Sequence, residues 1–361
     1  MFSLFFLPFL VSLLIVYLLT PPTIKLFQHF GWLEDPKLKQ KKTGNATALY
    51  PVPRGGGLPI FLAISISSLI FLPLDSHLFP ILLAGLLALI VGLLDDIKDI
   101  SPTFRLFINI VTALIVISAG IGISFISNPL SSIAGSVFDL SQPTLYFSLF
   151  GPRSISIIPD LLTIFWIVWC TNVVGWSAGV EGQLPGFVSI SAIFIGILAL
   201  KFSQDITQWP VIILASSVAG AYLGFLPFNF FPQKIMPGYS GKSLAGFFLA
   251  ILSILSGAKL ATLIFLLGLP MLDAIFVILR RLKNNQPIYL ADGQHLHHRL
   301  LKIGLSRPQI SILYWLFSLV LGIISLFLNS RQKFYFFIGL FLLFLALLLQ
   351  LSKHTRLKST H

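Results

Sequence analysis

The chain has 361 residues, of which 56% are hydrophobic and only 10% are charged, and its formal net charge is +12. Soluble domains average about 25% charged residues, so the composition excludes an ordinary soluble protein. A helix needs roughly 20 apolar residues to cross a bilayer core, and eleven runs approach that length: 2–20, 56–73, 78–94, 103–125, 156–174, 184–200, 209–227, 243–257, 259–280, 309–328 and 334–351. These runs do not alternate as barrel strands do. We therefore predict an all-α, polytopic integral membrane protein with about 11 transmembrane helices.

Basic residues are distributed unevenly over the segments between these runs. With the N-terminus outside, nineteen of the 24 Lys and Arg residues fall on inside segments and five on outside segments. The positive-inside rule therefore predicts an N-terminus outside and a cytoplasmic C-terminus. The high net charge then follows from topology next to anionic lipid, and no nucleic-acid partner is needed to explain it.

The whole chain, 1–361, is predicted to be a single transmembrane domain. The first run lacks a basic region before it, so it is interpreted as a span rather than a cleaved leader. Cys170 is the only cysteine and lies inside a run, which excludes a disulfide framework. The outer segment 126–155 is predicted to be a loop. The cytoplasmic loops are predicted at 21–55, 95–102, 175–183, 228–242 and 281–308.

Five polar clusters map to the predicted cytoplasmic ends of the runs. They are PVPRGGGLP (51–59), DDIKD (95–99), TNVVGWSAGVEGQLPG (171–186), MPGYSGKS (236–243) and ADGQHLHHRL (291–300). Their convergence on one membrane face indicates a site at the inner interface. Such a site can take one substrate from water and another from lipid.

The acidic cluster places Asp95 and Asp99 one turn apart on the same helical face, with Asp96 about a third of a turn away. Adjacent carboxylates can hold a divalent cation or serve as a base. The alternative is a solvated helix end with Lys98 as the partner, and the residues alone leave both interpretations open. Ionisable groups at a membrane boundary are, however, functional by default.

The histidine cluster combines His295, His297 and His298 with Arg299. Imidazoles and a guanidinium can bind phosphate oxygens, the arginine in a bidentate manner. Zinc is the competing interpretation, but no cysteine accompanies the cluster and no HExxH spacing occurs. The residues therefore favour phosphate.

Two further positions carry weaker patterns. Arg54 precedes three glycines, whose backbone amides can form an anion nest or merely allow close helix approach. Asp273 lies about two turns inside its run, counted from Arg280. A structural hydrogen bond and a functional acid remain equally open for it.

Together these motifs resemble the polyprenyl-phosphate N-acetylhexosamine-1-phosphate transferases of glycosyltransferase family 4. The resemblance is carried by Arg54 with its glycines, by Asp95, Asp96 and Asp99, and above all by PIYLADGQHLHHRLLKIGLS (287–306). It covers nearly the whole chain. It is strongest toward the bacterial branch that starts the O-antigen of lipopolysaccharide, enterobacterial common antigen and teichoic acid linkage units.

The resemblance implies that a polyprenyl phosphate attacks the β-phosphorus of a UDP-N-acetylhexosamine, giving polyprenyl-diphospho-sugar and UMP with Mg²⁺ as cofactor. It places the protein in the plasma membrane with its active face toward the cytoplasm, and a homodimer is an open alternative. Asp95 and Asp96 would be catalytic, by positioning or deprotonating the lipid phosphate. The substrate-binding residues would be Arg54, Asp99, Asn172, Glu181, Lys242, Asp292, His295, His297, His298 and Arg299.

This sequence departs from the family at the metal site. The family usually has the pattern Asn-x-x-Asn-x-x-Asp-Gly-x-Asp-Gly, and Gly175 stands at the position of its second Asn. Tyr239 stands where the family has a magnesium-binding Asp. Glu181 and Asp96 are the remaining candidates as metal ligands.

Three interpretations of the function stay open. The first is an active enzyme whose metal is bound by oxygens of Glu181, Asp96 or Asp99, and the second is an active enzyme in which the Lys242 ammonium replaces the cation. The third is a non-catalytic member that binds polyprenyl phosphate or a UDP-sugar, or scaffolds a glycan assembly complex.

Overall fold

The computed structural model describes residues 2–37, 48–129, 136–148, 152–201, 204–257, 260–287 and 295–358. Most of these residues are helical. The helices are α1 Phe2–His29, α2 Gly57–Phe71, α3 Leu78–Lys98, α4 Pro102–Ser118, α5 Ile157–Trp176, α6 Gln183–Leu200, α7 Trp209–Asn229, α8 Gly238–Leu255, α9 Leu260–Leu266, α10 Gly268–Lys283, α11 Leu296–Lys302, α12 Arg307–Ser325 and α13 Ser330–Lys358.

Each of the eleven predicted apolar runs overlaps a helix for most of its length, although the run 103–125 leaves its helix at Ser118 and ends in a strand, and the all-α polytopic class is confirmed. Within the described ranges, seven helices are long and apolar enough to cross a membrane. The run 259–280 is broken into α9 and α10, which meet at an angle of 85° and make an eighth span if they count as one. Helices α2 and α4 are apolar but shorter. The number eleven therefore stays a prediction, as does the orientation.

The predicted loop boundaries were wrong where helices run further than the apolar residues. Helix α1 continues through Pro21 and Pro22 to His29, so the loop predicted from residue 21 starts later. Threonine hydroxyls on either side of the prolines donate to carbonyls one turn back, Thr20 to Val16 and Thr23 to Leu19. The helix continues although neither proline supplies an N–H. The predicted loops 95–102, 228–242 and 281–308 likewise contain the end of α3, the start of α8 and all of α11.

The described residues of the outer segment 126–155 form strands rather than only a loop, which corrects the prediction for that segment. Strand β3 (Phe125–Ser127) pairs antiparallel with β4 (Val137–Asp139), and β5 (Thr144–Ser148) pairs with β6 (Pro152–Ser156). At the other end of the molecule, β1 (Leu33–Glu34) pairs with β2 (Val52–Pro53). That short pair brings Arg54, the next residue, beside Glu34.

Helix α8 lies at the centre of the bundle and packs against α3 and α5. Glycines make both crossings close. A Cβ on Gly92 of α3 would overlap the backbone of Ser240, and a Cβ on Gly246 of α8 would overlap the backbone of Thr171. Small residues let helix backbones approach in this way within a membrane. The first turn of α8 is therefore fixed tightly against its neighbours.

Candidate functional site

Arg54 lies at the centre of four carboxylates. Its Nη1 is 2.9 Å from Asp99 Oδ1, its Nε is 3.5 Å from Asp96 Oδ1 and 3.6 Å from Glu34 Oε2, and its Nη2 is 3.9 Å from Asp95 Oδ2. Burial lowers the pKa of the guanidinium, but Asp96 and Glu34 outweigh that effect and the pKa is raised. Arg54 therefore stays charged and holds the loop after β2 against the end of α3. We call Arg54 and these four carboxylates the acid cluster.

Asp96 caps the N-terminus of α8. Its Oδ1 accepts from the backbone N–H of Tyr239 at 2.6 Å, and its Oδ2 accepts from the N–H and hydroxyl of Ser240 at 3.2 and 2.7 Å. Gly238 has a φ of +67°, and a Cβ there would meet both the Asp96 carboxylate and the Arg54 carbonyl. Carboxylates are favourable at a helix N-terminus, where unpaired N–H groups concentrate. That positive helix end is thus occupied by Asp96.

Asp95 is turned toward a second arginine, which sequence reasoning missed. Its Oδ1 accepts from Ile100 N–H at 2.9 Å, and its Oδ2 lies 3.4 Å from Arg105 Nη1. The Arg105 guanidinium also lies 4.9 Å from the centre of the Tyr239 ring, and Asn109 Nδ2 donates to the Tyr239 hydroxyl at 3.4 Å. In the sequence, Arg105 is one of the nineteen basic residues on the predicted inside segments. In the structure, its side chain links Asp95, which with Asp96 forms what we call the acid pair, to Tyr239, the tyrosine that replaces the family's aspartate.

The carboxylates and guanidiniums of this region would act on a phosphate in opposite directions. Four carboxylates face two guanidiniums, those of Arg54 and Arg105. A fully ionised phosphate would be repelled by the carboxylates and attracted by the guanidiniums and neighbouring basic groups, so a phosphate can contact a carboxylate only with a proton between the two oxygens. The acid cluster therefore has a clear structural role in holding together α3, α8 and the loop after β2.

Glu181 is held by an arginine from a distant helix. Arg307 Nη1 lies 2.8 and 2.9 Å from the two Glu181 oxygens, Gln233 Nε2 lies at 3.5 Å, and the Ser311 hydroxyl donates to the Glu181 carbonyl at 2.6 Å. Glu181 is 3% exposed. A buried carboxylate needs such pairing. The sequence offered no spacing from which Arg307 could have been assigned to this partner.

The histidine cluster is oriented by Asp273. Of the two roles left open for Asp273, a structural hydrogen bond and a functional acid, the structure supports the hydrogen bond. Asp273 Oδ2 is 2.9 Å from His295 Nδ1, and its Oδ1 accepts from Leu296 N–H at 2.8 Å. The rings of His295 and His297 stack at 5.8 Å, and those of His297 and His298 lie 4.2 Å apart. Asp273 thus fixes both the first histidine and the start of α11.

His297 packs on the loop that follows α5. A Cβ on Gly179 would overlap its imidazole. The pKa of His297 is lowered well below its usual value by burial, and further by His298, His295 and Lys242, so the ring is neutral near pH 7. Within the described part of the chain, its buried Nδ1 has no hydrogen-bond partner.

The remaining predicted site residues are placed unequally. The Arg299 guanidinium lies 4.8 Å from the centre of the Phe276 ring, beside the histidine cluster. Asn172 Nδ2 donates to Val168 carbonyl at 2.8 Å, within its own helix. Lys242 lies on the second turn of α8 and lines a pocket together with Gly179 and Glu181. Asp292 lies outside the described residues.

The five polar clusters therefore meet, as predicted, at one end of the bundle. Arg54 contacts Asp96, and Asp96 contacts Ser240 at the start of α8. From α8, Lys242 reaches the pocket next to Gly179, and Gly179 contacts His297. Direct contacts and a shared pocket thus join segments that are far apart in the sequence.

A model of one protein family, described as glycosyl transferase family 4, matches residues 78–257, which contain the acid pair, the loop after α5 and the start of α8. The chain belongs to glycosyl transferase family 4. The family assignment agrees with the resemblance of the motifs outside that range. Relatives of this chain are named as phospho-sugar transferases. This chain is an enzyme of that class.

Three relatives match most of the length of this chain. A Bacillus subtilis protein named probable undecaprenyl-phosphate N-acetylglucosaminyl 1-phosphate transferase is 28% identical over 94% of this chain and 88% of its own. The decaprenyl-phosphate N-acetylglucosaminephosphotransferase of Mycobacterium tuberculosis is 26% identical over 90% and 83%. The phospho-N-acetylmuramoyl-pentapeptide-transferase of Staphylococcus aureus is 27% identical over 89% and 98%.

The magnesium site implied by the family does not fit the residues present. Asp96 has both oxygens bonded to α8 and faces Arg54, and Glu181 has both oxygens against Arg307. Among the described residues, no three or more His, Cys, Asp or Glu side chains are grouped so that they could hold a metal ion. The interpretation of Glu181 and Asp96 as metal ligands is therefore not supported. Tyr239, at the family's metal-binding position, is turned toward Asn109.

Proposed function

We propose that this enzyme transfers N-acetylhexosamine-1-phosphate from a UDP-N-acetylhexosamine to a polyprenyl phosphate, as the first membrane step of a cell-envelope glycan. An oxygen of the lipid phosphate forms a bond to the β-phosphorus. The bond from that phosphorus to the bridging oxygen breaks, and the bridging oxygen leaves as part of UMP. The observation that carries the proposal is the meeting of the acid pair, the start of α8 and the histidine cluster at one end of a membrane bundle.

Two anionic phosphates have to meet in this reaction, so the site needs fixed positive charge that stabilises the transition state. Arg105 and Lys242 are the basic residues next to Asp95 and the pocket. We assign Asp95 to orient Arg105 and to accept a proton from the lipid phosphate, because its Oδ2 has only long contacts, 3.4 and 3.9 Å, to the two arginines. Asp96 acts as a positioning residue, because its oxygens are bonded to α8.

The sugar nucleotide is proposed to lie along the loop at Gly179 and the histidine cluster. The buried Nδ1 of His297, which has no partner among the residues that the structure describes, supports a hydrogen-bonding ligand in that region. Arg299 and His298 are proposed to bind the diphosphate, with the arginine held by its contact with Phe276. Asp273 would keep the cluster aligned through His295.

The reaction can be tested with purified protein in proteoliposomes that contain undecaprenyl phosphate. UDP-N-acetylglucosamine is added, and the release of UMP and the formation of lipid-linked sugar are measured. Asp95→Asn removes the proposed proton acceptor and should reduce release about 10²-fold or more. Asp205→Asn, an exposed acid in the turn before α7, is the matched charge control and should leave release unchanged.

Two outcomes would contradict the proposal in different ways. Release that is equal for the wild type and Asp95→Asn would remove the assigned role of Asp95. Absence of release with every UDP-N-acetylhexosamine, together with retained binding of the sugar nucleotide, would favour the non-catalytic alternative. That alternative is based on Gly175 and Tyr239, which replace the residues of the family's metal site.

A further inference from the structure

The two positions at which the family has metal ligands lie next to other groups in this structure. An ideal Cβ on Gly175 would lie 4.0 Å from Lys242 Cβ, in van der Waals contact. A longer side chain at position 175 would thus meet the stem of Lys242. At the other position, the hydroxyl of Tyr239 is bonded to Asn109 and its ring carries Arg105. Groups with positive charge therefore adjoin both positions at which the family has metal ligands.

Lys242 faces the part of the pocket where the sugar nucleotide is proposed to bind. It lines that pocket with Gly179, Glu181 and Pro237. Its charge also acts on His297, whose pKa it helps to lower. Both oxygens of Glu181, another lining residue, are bonded to Arg307.

The backbone around Lys242 is fixed by contacts on three sides. Asp96 binds the N–H groups of Tyr239 and Ser240, and the Tyr222 hydroxyl donates to the Gly241 carbonyl at 2.7 Å. Gly92 of α3 allows the closest approach to Ser240. The backbone of Lys242 is therefore held in place, so that any reorganisation during a reaction is confined to its side chain, and electrostatic catalysis requires that reorganisation be small.

We propose that the Lys242 ammonium supplies the positive charge at the diphosphate that a divalent cation supplies in magnesium-dependent members of the family, so that this enzyme binds its UDP-sugar without a metal ion. The inference rests on the proposed function and extends it to a specific residue. Lysine is suited to this role because its ammonium is a compact point charge that binds phosphate oxygens.

Binding of UDP-N-acetylglucosamine provides the test, because it decides the inference whether or not turnover occurs. The affinity of purified protein for the radiolabelled sugar nucleotide is measured in excess EDTA and again in millimolar Mg²⁺. The wild type should bind equally under both conditions. Lys242→Gln should bind about 10- to 100-fold more weakly, as expected for the loss of a charge-assisted bond, and Lys242→Arg should retain part of the affinity.

Lys234→Gln is the matched control, because Lys234 is exposed on the segment just before α8 and its loss should leave the affinity unchanged. The double variant Gly175→Asn with Tyr239→Asp restores the family's metal-binding residue types. Combined with Lys242→Gln, it should make binding depend on Mg²⁺. Thermal unfolding of each variant in detergent checks that it is folded.

The outcomes separate this inference from the proposed reaction. Wild-type binding that is lost in EDTA and regained with Mg²⁺ overturns the role of Lys242 and leaves the transfer reaction in place. Equal affinity of the wild type and Lys242→Gln overturns it as well. Metal-independent binding that is lost in Lys242→Gln supports it, even if UMP release fails and the proposed reaction has to be abandoned.

Discussion

Gly179 illustrates how a single residue shapes the candidate site. The imidazole of His297 lies where a side chain at position 179 would be. The family has an Asp-Gly pair at this point of its motif, whereas this chain has Ala178 and Gly179. The glycine is required here by the space that the histidine occupies, and not by a left-handed backbone.

We expect Gly179→Ala to displace His297, with a lower melting temperature and at least about tenfold weaker binding of the sugar nucleotide. Adding His297→Ala should restore the melting temperature, because the overlap is gone, but not the affinity, because the imidazole is lost. Gly339→Ala serves as the control, since no atom lies within 4 Å of the added Cβ. If Gly179→Ala alone bound the sugar nucleotide as tightly as the wild type does, His297 would not need the position that it occupies in this structure.

Several residues of the site were predictable from the sequence, and their partners were not. The acid pair and the histidine cluster are recognisable because polar groups at the ends of apolar runs stand out. Arg105 and Arg307 resemble ordinary basic residues on inside segments, so only the structure assigns them to Asp95 and Glu181. The bond between Asp273 and His295 also depends on how α10 packs. Pairing of this kind is set by three-dimensional packing, which no spacing in the sequence records.

Helix α8 depends on a carboxylate contributed by another helix. Asp96 of α3 takes the place of a local capping residue, because Pro237 at the N-cap position has no side-chain hydrogen bond to offer. Residues 96 and 239 are 143 positions apart. The start of the central helix is therefore coupled directly to the end of α3.

We expect Asp96→Ala to lower the free energy of unfolding by about 3 kcal/mol or more, because it leaves the first N–H groups of α8 and part of the Arg54 charge without a partner. Asp75→Ala is a matched control. Asp75 also accepts from helix N–H groups, those of His77 and Leu78, but it is exposed, and its loss should cost about 1 kcal/mol. Unfolding followed by tryptophan fluorescence in detergent measures both values. Equal losses would contradict the assigned role of Asp96.

At the level of elements, the sequence predicted the helices well and their ends less well. Apolar runs locate helices, because a span must be apolar, but a helix continues wherever its N–H groups find acceptors. Helix α1, for example, continues through Pro21 and Pro22 to His29. The break at Leu267 was not predicted, because the residues on both sides of it are apolar and belong to one run. A pattern of hydrophobicity does not distinguish a straight helix from a bent one.

The orientation of the whole molecule can be measured with introduced cysteines, since Cys170 is fully buried and is the only cysteine. In a Cys170→Ala background, Lys234→Cys places a thiol after α7 and Asp205→Cys places one before it. An impermeant maleimide should label position 205 in right-side-out vesicles and position 234 in inside-out vesicles, as the positive-inside rule requires. The reverse pattern would overturn the predicted orientation and place the site on the outer face.

The contacts of Arg54 also have a consequence for the order of membrane insertion. During synthesis, α3 enters the membrane with two carboxylates long before α8 exists, because the chain must grow by 143 residues from Asp96 before Tyr239 is made. Arg54 precedes α3, so it is already available to offset those carboxylates. Arg54 can thus neutralise the acid pair during translation, as an intramolecular partner, until α8 has been synthesised and binds Asp96.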